Sequence, residues 1–147
     1  MKHLSFLFIG LLLFSCNSAV KTTSEQELRD LFSDYLSGKY PELRKGDHIV
    51  FIANNSECSP CIEAINTILR GNYEAQRYAI LFSNHRFSLP PNVKVLKEHA
   101  KTVGKYGILK GDGSICVFRN GKLSAIVPMN VDNPEWSVQS VSKQLKN

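Results

Sequence analysis

Residues Asp47 to Gly71 read DHIVFIANNSECSPCIEAINTILRG. Ile49 to Ala53 is an unbroken apolar run. A strand with no polar alternation is buried on both faces, as in a parallel sheet. Asn54-Asn55-Ser56 breaks it. Cys58-Ser59-Pro60-Cys61 follows, and a helical pattern starts at once, with Ile62, Ile65, Ile68 and Leu69 on one face and Gly71 as the stop. The order is therefore strand, short loop, CxxC, helix. Residues three apart at a helix start face the same way, so the two sulfurs can meet in a small ring. Pro60 suits a first turn, where a missing N–H costs little. Cys58, at the helix mouth, feels the positive end of the helix dipole, which favours the nucleophilic thiolate.

Working outward, Tyr78 to Phe82 is a second apolar run within Arg77 to Ser83. It predicts a strand parallel to the first, completing a βαβ unit. Upstream, Ser24 and Glu27 form a capping-box pattern. It opens a helix whose stripe is Leu28, Leu31, Phe32, Tyr35 and Leu36, with Gly38 as its end and Pro41 to Gly46 as a loop. Downstream, Asn84 to Asn92 reads as a loop containing Pro90-Pro91. Val93 to Lys97 fits either a short strand or a helix start, and Glu98 to Tyr106 reads as a helix. Gly111-Asp112-Gly113 is a turn, with Asp112 serving turn chemistry. Ser114 to Arg119, the Asn120-Gly121 turn and Lys122 to Val127 form a hairpin of type I′ character. Asn133-Pro134-Glu135 starts a last helix, with Trp136, Val138, Val141 and Leu145 available to pack on the sheet.

At this point the sequence resembles the thioredoxin-like superfamily, and most of all its bacterial, membrane-tethered, extracytoplasmic thiol-disulfide oxidoreductases. The likeness rests on the strand–CSPC–helix unit and on a second anchor. That anchor is Tyr106-Gly107-Ile108 followed by Ser114 to Leu123, matching the family's late strand, Asn-Gly turn and return strand. It implies an α/β fold: a three-layer α/β/α sandwich with a central mixed sheet, over residues 24–147. It implies a Cys58–Cys61 disulfide, Cys58 attacking and Cys61 resolving, with Glu57, Ser59, Pro60, Gly113 and Ser114 as neighbours. The chemistry needs no cofactor and no metal. Its partners are protein thiols or disulfides and a redox partner.

Three positions depart from that pattern. Glu57 stands where many members carry an aromatic, and its charge opposes thiolate formation. Ile52 stands where thioredoxins bury an acid. Gly113 falls at the family's cis-proline position, and cis bonds are almost confined to proline. A glycine there still lets backbone approach the sulfurs.

The chain of 147 residues supports one domain with its own core. Eighteen Lys and Arg against thirteen Asp and Glu give +5, with no basic run and no basic–aromatic interleaving. That pattern speaks against a nucleic-acid partner. Met1-Lys2-His3 and the apolar Leu4 to Phe14 form a signal-like leader, too short for a comfortable membrane span. Leu13-Phe14-Ser15-Cys16 resembles a lipobox. It implies a lipoprotein signal peptide over 1–15, lipidation of Cys16, a tether over 16–23, and a lipid-anchored place in the cell envelope facing the periplasm or exterior. Cys116 reads as a small buried hydrophobe, with a third redox thiol as the sharper reading. His48, His85 and His99 lack paired metal-ligand spacing. The alternative function is a non-catalytic thioredoxin-like lipoprotein, a binding or assembly module whose disulfide is structural.

Overall fold

The computed structural model describes residues 23–54, 58–82 and 87–147. The leader, Cys16 and most of the tether lie outside these residues, as do Glu57 and His85.

Among the described residues five strands form one sheet: β1 (Asp47–Ala53), β2 (Gln76–Leu81), β3 (Val93–Val95), β4 (Gly113–Arg119) and β5 (Lys122–Pro128). Their order is β3-β2-β1-β4-β5. β1, β2 and β3 run parallel, whereas β4 and β5 run antiparallel to their neighbours. β1 is central, and Ile49 to Ala53 are all fully buried. That burial on both faces is why the strand carries no polar alternation.

Four α-helices among the described residues cover the sheet: α1 (Glu25–Lys39), α2 (Ser59–Arg70), α3 (Ala100–Gly104) and α4 (Pro134–Lys146). Alternate residues of β1 divide the core. Ile49, Phe51 and Ala53 pack with Ile65, Ile68 and Leu69 of α2 and Val141 of α4. Val50 and Ile52 pack with Phe32 and Leu36 of α1 and Val103 of α3. The result is the thioredoxin-like three-layer α/β/α sandwich with a mixed sheet. Each buried Ile or Leu of α2 contributes about 1.5–3 kcal/mol, so the stripe fastens α2, and the cysteines at its start, to β1.

The local signals act as their chemistry requires. Ser24 Oγ accepts the Glu27 N–H at 3.1 Å, and Glu27 Oε2 accepts the Ser24 N–H at 2.7 Å, completing the capping box. Asn120 and Gly121 have φ of 49° and 79°, as a type I′ turn demands. Several expectations are corrected. α1 runs through Gly38 to Lys39, and Pro41–Arg44 forms a 3₁₀ turn within the expected loop. Leu31 faces solvent, while Ser33 is buried and its hydroxyl oxygen accepts the Leu123 N–H of β5. Val93–Val95 is a strand, and the helix after it shrinks to five residues. Glu98 stays outside that helix because its side chain is held by Lys39 and Tyr35 of α1. Trp136 is exposed rather than packed on the sheet, which Val141 covers instead.

Gly71 ends α2, but with φ of −49° it is not a left-handed cap. Glycine is needed there for another reason: a Cβ would lie 2.7 Å from the Tyr73 ring, whose hydroxyl donates to the Ile68 carbonyl at 2.8 Å.

Candidate functional site

β1 ends at Ala53, and the chain turns through Asn54 toward α2. Cys58 is the N-cap of α2, with extended backbone (φ −77°, ψ 113°). Its sulfur accepts the Cys61 N–H at 3.3 Å, and its carbonyl accepts the Ile62 N–H at 3.1 Å. A sulfur has taken the place usually filled by a Ser or Asp oxygen at a helix start. Pro60 falls in the first turn, and no acidic residue occupies that turn. The amide and the helix dipole therefore act on the Cys58 sulfur without a carboxylate from the turn to oppose them.

Cys58 and Cys61 are joined in a disulfide, with Cα atoms 5.2 Å apart. Cys58, Ser59 and Pro60 are exposed and Cys61 is half-buried. Cys58 is thus the more exposed residue of the pair.

The turn before β4 lies at the end of the sheet where β1 stops. Gly113 pairs with Ala53 across the sheet. The Asn54 N–H donates to the Asp112 carbonyl at 2.9 Å, and Asn54 Nδ2 reaches the Gly111 carbonyl at 3.4 Å. Asp112 thus contributes through its main chain. Gly113 is closely packed: a Cβ on it would lie 2.6 Å from the Ile52 carbonyl oxygen and 2.6 Å from Met129 Sδ. The bare α-carbon accommodates β1 and Met129. No cis peptide occurs among the described residues. Ser114 is fully buried, and its hydroxyl donates to the Ile108 carbonyl at 2.7 Å and accepts the Lys110 N–H at 3.1 Å. Lys110 Nζ lies 3.9 Å from Glu25, bringing the first turn of α1 to this same end of the sheet. Arg29 and then Lys110 hold the Glu25 carboxyl below its usual range.

Ile52 is fully buried in the α1/α3 layer, across the sheet from α2. Cys116 belongs to that same layer, with the sheet between it and α2. It is fully buried, and burial pushes its thiol pKa well up. Cys116 thus serves as a small buried hydrophobe, and its burial across the sheet from α2 argues against a third redox thiol. His48 is buried beside Tyr78, its Nε2 2.7 Å from the Lys45 carbonyl, while His99 caps α3. Among the described residues no group of three or more His, Cys, Asp or Glu is placed to hold a metal ion.

Two contributors escaped the sequence reading. Asn54 reads as a strand breaker, and Met129 falls outside every element expected from the sequence. Neither carries a local signal, because their roles depend on contacts with the distant 111–113 turn.

No protein-family model matches this chain, and a search of curated proteins finds no match.

Proposed function

We propose that the protein is a thiol-disulfide oxidoreductase acting on protein substrates outside the cytoplasm, held at the membrane by a lipid on Cys16. The observation that carries the chemistry is the pairing of an exposed N-cap cysteine with a half-buried partner three residues on. The signal-like leader and the LFSC sequence support the location. In an oxidising compartment such a pair works either as an oxidant or as a thiol that is continually re-reduced.

As an oxidant, a substrate thiolate attacks Cys58 Sγ and the Cys58–Cys61 bond breaks. Cys61 leaves as a thiolate and takes up a proton. A second substrate thiolate then attacks the substrate sulfur of the mixed disulfide and expels the Cys58 thiolate. The substrate loses two electrons and the cysteine pair gains them. As a reductant, the same steps run backward: the Cys58 thiolate attacks a substrate disulfide, and Cys61 resolves the adduct. Either direction needs a second dithiol or disulfide partner to restore the starting state. The amide at Cys61 and the end of α2 stabilise the Cys58 thiolate in both.

Trapping tests this. Cys61→Ala should accumulate envelope proteins on Cys58 through bonds that a reductant releases, and a Cys58→Ala/Cys61→Ala variant should accumulate none. If no adduct forms and the wild-type disulfide fails to equilibrate with protein thiols, the chain is the binding module with a structural disulfide.

A further inference from the structure

We propose that Ser114 is a positioning residue for disulfide exchange: its buried hydroxyl holds the Lys110–Gly113 turn at a fixed height beside Asn54, where β1 ends. The inference rests on the exchange reaction above.

The turn has every reason to be loose. Gly107 and Gly111 adopt left-handed φ of 62° and 55°, and Gly113 follows, so three glycines fall in seven residues with no proline among them. Glycine carries more backbone freedom than any other residue. Two sets of hydrogen bonds remove that freedom. From inside, the Ser114 hydroxyl bridges the Ile108 carbonyl and the Lys110 N–H, closing the loop from both ends. From outside, Asn54 holds the carbonyls of Gly111 and Asp112.

Ser114 points into the layer that contains Ile52, not toward α2. Ser114 is opposite Ile52 in the β1–β4 register, and Ile52 belongs to the α1/α3 core. It therefore acts on the site only through the turn. An alanine would pack against the same neighbours. What the hydroxyl adds is the pair of hydrogen bonds, without which two main-chain groups lose their partner.

Exchange requires the incoming sulfur to approach in line with the bond it breaks. Cys58 follows Asn54 by four residues, so the turn that Asn54 holds stands at the end of the sheet where α2 begins. A protein chain docking there meets the turn, and a preset turn spares the cost of ordering it. A small thiol meets no such requirement.

The test compares two thiols on the full chain. Ser114→Ala should slow reduction of the Cys58–Cys61 disulfide by a reduced, unfolded ribonuclease by about tenfold or more, with glutathione changed by no more than about twofold. Hydrogen exchange at the Lys110 and Gly113 amides should quicken, and Ser114→Thr should restore the protein-thiol rate. Should Ser114→Ala fail to fold, Asn54→Ala loosens the turn from its surface side and should show the same split. Equal slowing with both thiols, or no slowing with either, overturns the inference while leaving exchange intact. A wild-type disulfide that glutathione reduces but no protein thiol touches refutes the exchange function, and the role of Ser114 falls with it.

Discussion

Replacing Gly113 with alanine should destabilise the fold by about 2–4 kcal/mol. The added methyl carbon would sit 2.6 Å from the Ile52 carbonyl oxygen, 2.6 Å from Met129 Sδ and 3.3 Å from Ala53 Cα. Even a close C···O contact is about 3.3 Å, so something must move. The Met129 sulfur can swing away at a rotamer cost of about 0.5–1.5 kcal/mol. The Ile52 carbonyl cannot, because β1 is hydrogen-bonded to β2 on one side and β4 on the other. Overpacking against fixed backbone costs about 1–3 kcal/mol. Against a total stability of about 5–15 kcal/mol, the loss is large. Urea denaturation of the full chain measures it: the midpoint should fall with the slope unchanged. Met129→Ala alone should cost about 2–5 kcal/mol. Combined with Gly113→Ala it should cost less than the two together, because the vacated space admits part of the methyl. A Gly113→Ala protein within about 0.5 kcal/mol of wild type, or strict additivity with Met129→Ala, would show that the close approach does not constrain the fold.

Glu98 should lend the fold an acid-sensitive contribution. Burial raises its carboxyl pKa, but Lys39, Tyr35 and Tyr40 outweigh burial and hold it below the usual range. Lys39 Nζ is 2.8 Å from one oxygen, outside hydrogen-bond alignment, and the Tyr35 hydroxyl donates to the other at 2.7 Å. A depressed native pKa means that the unfolded chain takes up the proton first. The advantage of wild type over Glu98→Gln should be full at neutral pH, shrink as pH falls through the ordinary glutamate range, and vanish below the native value. Urea titrations at stepped pH check it, and a difference independent of pH would contradict the assignment. Cys116→Ala should leave exchange rates unchanged, and labelling of Cys116 in the native protein should proceed only as fast as the core opens. Rapid labelling would contradict its burial. Tyr73→Phe should cost about 1 kcal/mol for the lost hydrogen bond to Ile68, whereas Gly71→Ala should cost more by driving a methyl into the Tyr73 ring. Equal stability of the two variants would rule out that ranking.

The sequence determined the features whose causes are local. β1 was legible because a strand buried on both faces must be apolar throughout. The capping box, the hairpin turn and the start of α2 were legible because the residues that form them lie within a few positions of one another. The adjacency of Cys58 and Cys61 followed from helix geometry for the same reason. The tertiary structure decided what depends on contacts between distant segments. It placed Cys116 behind the sheet and set Glu98 against α1 rather than in α3. It gave Gly71 and Gly113 their reasons through Tyr73, Met129 and the β1 backbone. It made Asn54 and Ser114 the restraints on a glycine-rich turn. Spacing along a chain predicts which residues share a face of one element. It holds no information about which distant carbonyl will meet that face once the layers have packed.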